Sequence, residues 1–219
     1  DIDWDNTDDT LLNILRWKEL ITSVGMLVDV PARLARKDQG RFKTFGDCLE
    51  QSIYNYEFAH KHKKGNIGFV TPIHGTTVEE TIEWFEAVKH LPSEGFAFGA
   101  PLTADLKMLL PVLRYMAKKG AFLDPCKYIH FFGRGTPAAG YVFSFIQRTL
   151  RKFLNPNIRV MYDASSPFYM TKYGSMYQER DYEFDDEEFK KDVDHFVKSC
   201  EGDNPDKPHR DAGSSPVLS

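Results

Sequence analysis

The chain has 219 residues, 42% hydrophobic and 27% charged, with a net charge of −4. That balance fits a folded chain with a sizeable core and excludes an acidic disordered polymer and a globally basic binder, so contact with nucleic acid needs a local patch. No apolar run approaches the ~20 residues that span a bilayer, and the separated Cys48, Cys126 and Cys200, with no CxxC pair, predict free thiols in a reducing cytoplasm and no zinc site.

The chain begins on Asp1, which reads as a fragment or a processed piece. The polar start supplies a cap for a helix from about Asp8 to Thr22, with Leu11, Leu12, Ile14, Leu15, Leu20 and Ile21 largely on one face. Gly25 to Val28 is a strand that ends in Asp29-Val30-Pro31, where proline stops regular structure. A basic loop follows, with Arg33, Arg36, Lys37, Arg41 and Lys43, and then a helix from Phe45 to Lys63 with Leu49, Ile53, Tyr56 and His60 inward.

From there the pattern repeats at roughly 30 residues, the size of a strand–helix unit. Asn66–Val70 is a strand, Thr71-Pro72-Ile73-His74-Gly75 a loop, and Val78–His90 a helix capped by Thr77. Phe96–Phe98 is a strand entering Gly99-Ala100-Pro101, followed by a helix from Ala104 to Lys119 that Pro111 bends. Tyr128–Phe132 is a strand entering Gly133-Arg134-Gly135-Thr136-Pro137, and Ala138–Leu154 is a helix. Ile158–Tyr162 is a short buried strand that delivers Asp163 into the turn Ala164-Ser165-Ser166-Pro167.

Apolar strands alternating with helices predict an α/β fold with a parallel sheet covered on both faces. Five strands fit an open doubly wound sheet or the last five units of an eight-stranded (β/α)8 TIM-type barrel. The reading divides the chain into a partial barrel over 1–173, an acidic amphipathic helix docked on it over 174–201, with Phe184, Phe189, Val193, Phe196 and Val197 at helical spacing, and a disordered tail over 202–219.

In a parallel α/β fold the loops after the strands gather at one sheet edge, where ligands bind. They carry Asp29, His74, Gly99, Gly133-Arg134-Gly135 and Asp163, a set suited to a flat polar ligand, with glycines allowing close backbone approach. A carboxylate there can also attack an electrophilic carbon. Most of these residues have a plainer role as well: Asp29 and Asp163 as loop caps, His74 as a turn residue, and the basic residues as solvated surface, while Gly133-Arg134-Gly135 ahead of a helix is a short glycine pair that also fits a phosphate nest.

Taken in order, Gly25–Pro31, Ile67–Gly75, Gly95–Pro101, Tyr128–Pro137 and Val160–Pro167 resemble the second half of the tRNA-guanine transglycosylase barrel. The segments Phe-Gly-Arg-Gly-Thr-Pro and Tyr-Asp-Ala-Ser-Ser-Pro carry most of the likeness, which is greatest to the branch that inserts 7-deazaguanine bases into DNA. The resemblance implies that Asp163 is the nucleophile, attacking C1′ of a flipped nucleotide and displacing guanine through a covalent intermediate. It further implies that Asp29 reads the amino-pyrimidine edge of the base and that His74 faces the base carbonyl. Gly99 and Gly133 would line the base pocket, Phe132 would stack on the base, and Arg36, Lys37 and Arg134 would meet the nucleic-acid backbone. No cofactor and no membrane are implied. The family's general acid/base aspartate comes from an earlier strand that this chain does not contain, so a homo-oligomer or a partner supplying the missing barrel half is considered. Only Cys200 follows Asp163, which leans away from the zinc-bearing tRNA branch toward DNA. Two other readings keep the same residues: a barrel hydrolase or lyase acting on a phosphorylated sugar, and a catalytically incomplete nucleic-acid-binding subunit.

Overall fold

The computed structural model describes residues 7–36, 41–99, 102–103, 105–133, 135–163 and 187–201. Helix α1 (Thr7–Ile21) leads into β1 (Val24–Met26), a 3-10 turn (Ala32–Arg36) and α2 (Phe45–His62). Then follow β2 (Gly68–Ile73), α3 (Val78–Val88), β3 (Gly95–Phe98), α4 (Leu106–Lys118), β4 (Tyr128–Phe131), α5 (Pro137–Phe153), β5 (Arg159–Tyr162) and α6 (Glu187–Glu201). Side-chain oxygens open four of the helices. Thr44, Thr77 and Thr136 accept from the third amide of α2, α3 and α5, and Asp105 accepts from Lys107 N in α4. Pro111 lies inside α4.

All five strands are parallel and lie in the order β1-β2-β3-β4-β5. A doubly wound sheet reverses its order at a switch point, and this one does not. Successive connecting helices touch one another, α2 with α3 and α3 with α4, as they do when right-handed crossovers between neighbouring strands carry them to one face. The result is a five-stranded half-barrel, not a sheet covered by helices on both faces as the sequence predicts.

Side chains sort by the two-residue period of a strand. Phe96 and Phe131 point to the helices, where Phe85 and Phe143 meet their rings at 5.8 and 4.3 Å. Gly95 and Ala97 alternate with them on the concave face. Helix α6 packs on α4 and α5 and buries Phe196 and Cys200. Residues 174–186, with Phe184, and the tail from 202 lie outside the described residues.

Two strands depart from expectation. Thr71-Pro72-Ile73 continues β2 and is not a loop. Val70 O accepts from Leu27 N at 3.0 Å, so the main-chain groups of Pro72, two residues on, also face β1, which has ended at Met26. Proline's missing N–H therefore breaks no ladder bond. Its carbonyl accepts from Tyr56 Oη at 3.0 Å and Trp84 Nε1 at 3.1 Å. Strand β5, predicted to be buried, is the end strand of the described sheet, and Arg159, Met161 and Tyr162 are exposed.

Cys48, Cys126 and Cys200 are free and buried, and burial pushes the Cys126 and Cys200 thiols up to about 12. A thiol reagent such as Ellman's therefore finds none of the three in the native protein and all three after denaturation; a rapid native reaction would contradict this packing. His60 on α2 meets the Phe69 ring edge-on at 5.0 Å and its Nε2 has no hydrogen-bond partner among the described residues. Burial first, then Lys63, lowers its pKa, so the unfolded chain takes up a proton first as pH falls below ~6.5. The contribution of a neutral His60 is full above that pH and is lost below it. Urea unfolding at pH 7.5 and pH 5 checks this: His60→Leu removes part of the acid-side loss, and an unchanged pH slope would contradict it.

Candidate functional site

Register places the predicted residues. The last fully paired row across β2–β5 is Ile73, Phe98, Phe131 and Tyr162. The next residue on each strand is His74, Gly99, Phe132 and Asp163, so these four form one row at the carboxyl edge. Alternation turns that row to the concave face. Asp29 joins from the loop after β1, whose course is fixed by Val30 N donating to the buried Ser52 Oγ at 2.8 Å.

At the β1–β2 end, His74 Nε2 lies 2.6 Å from Asp29 Oδ2. An ionised carboxylate only accepts, so the facing ring nitrogen carries the hydrogen. The His74 ring also meets Trp84 edge-on at 5.1 Å, and Trp84 is anchored on the Pro72 carbonyl, one turn of strand below. Gly75 is required next: a Cβ there would lie 2.5 Å from Thr81 N, so only glycine lets the loop rest on the first turns of α3. Lys18 donates to Met26 O; burial lowers its pKa and the Asp29 charge opposes that shift. The Tyr56 hydroxyl is held well above its usual range by burial, with Asp29 adding to it. Asp29 and His74 are both half-buried, a fixed pair of one acceptor and one ring.

At the β4–β5 end, Asp163 Oδ1 accepts from His130 Nε2 at 3.0 Å and from Gly133 N at 3.3 Å. Gly133 has φ +71°, a left-handed conformation that glycine takes without strain and that aims its amide at Asp163. Asp163 N donates to Phe131 O at 3.4 Å, continuing the ladder. The Asp163 side chain is 61% exposed, and its Oδ2 has no hydrogen bond among the described residues. One carboxylate oxygen is thus held and the other is open, which suits attack on an electrophile.

Between the two pairs, Gly99 is buried and its carbonyl accepts from Thr103 N at 3.2 Å. Thr103 Oγ1 in turn donates to Phe132 O at 2.9 Å, and Phe132 N to Phe98 O at 3.0 Å, tying the ends of β3 and β4 together. Phe132 is half-buried, 4.4 Å edge-on from His130. Arg36 closes the 3-10 turn after Asp29, and its side chain, Lys37 and Arg134 lie outside the described residues.

His130 is the residue that the sequence reading missed. It hides inside the apolar run Tyr-Ile-His-Phe-Phe, yet the period of two puts it on the face of Phe132, and its partner Met161 lies two residues before Asp163. No protein-family model matches the chain, and no curated protein matches it. Among the described residues no group of His, Cys, Asp and Glu could hold a metal ion, and no helix is long and apolar enough to cross a membrane.

Proposed function

We propose that the chain is the carboxyl-terminal part of a TIM-type barrel that exchanges guanine for a 7-deazaguanine base in nucleic acid, with DNA preferred over tRNA. The observation that carries this reading is Asp163 at a strand end, with Oδ1 held by His130 and Gly133 and Oδ2 open. In the first step Oδ2 attacks C1′ of a flipped nucleotide, the C1′–N9 bond breaks, and guanine leaves with the bonding pair. In the second, the incoming base attacks C1′ and Asp163 departs, so two inversions retain the configuration. The proton that guanine takes up equals the one the incoming base gives up.

His130 is a positioning residue in this scheme, fixing the carboxylate plane from 3.0 Å. The Asp29–His74 pair offers an acceptor and a ring to the polar edge of the base, Phe132 its stacking face, and Gly99 and Gly133 the close backbone approach. Arg36, Lys37 and Arg134 would follow the phosphate backbone. The remaining strands and the general acid/base residue come from further sequence, a second copy or a partner subunit. Three buried reduced thiols suit work in the cytoplasm. Binding of a sugar phosphate at Gly133 is disfavoured, because its amide is already bonded to Asp163.

The test is incubation of the full protein with guanine-containing DNA or tRNA and a labelled 7-deazaguanine base. Time-dependent label in the polymer, with one guanine released for each base incorporated, supports the reading. No incorporation into either polymer, with any partner subunit present, would reject it.

A further inference from the structure

A second feature lies at the opposite, amino-terminal edge of the sheet. Among the described residues, an open cleft of ≈ 380 Å³ is lined by Lys127, Tyr128, Arg151, Pro156, Asn157 and Arg159. Three of these side chains are cationic in a chain whose net charge is −4. Lys127 is shared with Glu94 at 3.4 Å, whereas neither Arg151 nor Arg159 has a carboxylate partner among the described residues.

The walls are fixed by internal bonds. The buried Asn155 donates Nδ2 to Cys126 O at 2.7 Å, and its Oδ1 accepts from Asn157 N at 2.9 Å. Arg159 N donates to Lys127 O at 2.7 Å, joining the two walls directly. Arg151 Nε donates to Ile158 O at 2.6 Å, which sets the guanidinium in place and leaves its terminal nitrogens for a ligand. A cleft whose backbone walls are hydrogen-bonded therefore carries one anchored guanidinium, Arg151, beside the exposed side chains of Arg159, Lys127 and Asn157.

We infer that this cleft binds a phosphate group. Guanidinium forks match tetrahedral oxyanions through paired charge-assisted bonds, and an anion of up to two charges balances several cations where a single carboxylate does not. The volume lies in the range of small-ligand sites, ~300–1,000 Å³. Arg159 precedes Asp163 by four residues on β5, about 13 Å at ~3.3 Å per residue, so the cleft is separate from the carboxyl-edge row. It does not depend on the transglycosylase reading. The phosphate belongs either to a mononucleotide or to a nucleic-acid backbone.

Calorimetric titration of the full chain with a nucleoside 5′-monophosphate, and separately with a short single-stranded oligonucleotide lacking terminal phosphates, tests this. Saturable binding tighter than ~1 mM by at least one probe is expected. Arg159→Gln and Arg151→Gln each weaken it by about tenfold, the scale of a lost charge-assisted pair. Binding of the monophosphate alone assigns the site to a small molecule; binding of the oligonucleotide alone assigns it to a backbone. No saturable binding of either probe, or affinity indifferent to Arg159→Gln, would overturn the inference. Arg159 is exposed and has no side-chain partner among the described residues, so its variant folds even if Arg151→Gln loosens the loop.

Discussion

In the proposed exchange reaction, Asp163→Asn lowers turnover on the order of 10⁴-fold, the scale seen when a member of a catalytic set is removed, and leaves the melting temperature unchanged. The amide keeps the shape of the carboxylate, and its oxygen still accepts from His130 Nε2 and Gly133 N, the two donors that hold Oδ1. What disappears is the negative charge and lone-pair reactivity of Oδ2, the oxygen with no partner among the described residues. Because the side chain is 61% exposed, no packing is lost. His130→Gln acts on orientation instead, so it lowers turnover by a smaller factor, about ten to a hundred. Exchange rates and melting curves on the same preparations separate the two. Exchange by Asp163→Asn at the parent rate would remove Asp163 from the chemistry.

Gly95→Ala destabilises the fold by about 3 kcal/mol or more, roughly a 10 °C drop in Tm for a chain of this size. Gly95 is paired with Tyr128 at the start of β3, and a Cβ there would sit 2.0 Å from Tyr128 O and 2.7 Å from its carbonyl carbon. Both are backbone atoms of the next strand, so no rotamer relieves the collision and the β3–β4 ladder must part. Gly65→Ala is the matched comparison: nothing lies within 4 Å of its Cβ, and the stiffer unfolded chain makes the change neutral or slightly stabilising. Urea denaturation of the two variants distinguishes a steric cause from a general cost of losing glycine. Equal stabilities would contradict the close approach of β3 and β4.

Much of this arrangement is legible before any coordinates, and the parts that are not have physical causes. Thr77 before Glu79 and Glu80 announces the start of α3, because the cap bond is local. The ends of β3 before Gly99 and of β5 before Asp163 are marked by the turn residues that follow in the sequence. Sheet order is not local: five strand–helix units fit both a doubly wound sheet and a barrel, and only the pairing of each strand with its sequence neighbour decides. Pro72 reads as a loop residue because its acceptability in β2 depends on where β1 stops. Met161 and Tyr162 read as buried because apolar content does not reveal an end strand. His130 escapes notice for the opposite reason, as a polar residue inside an apolar run, although its spacing to Phe132 points to the concave face.

The proposed nucleophile, Asp163, is tested most directly by trapping it. The full chain is mixed with guanine-containing DNA, quenched in denaturant during turnover, and analysed by intact mass and peptide mapping. A DNA-linked species attached through Asp163, absent from Asp163→Asn and cleared by adding the incoming base, is the predicted result. Base exchange without any linked species, or linkage through a different residue, would contradict the assignment of Asp163 as the nucleophile.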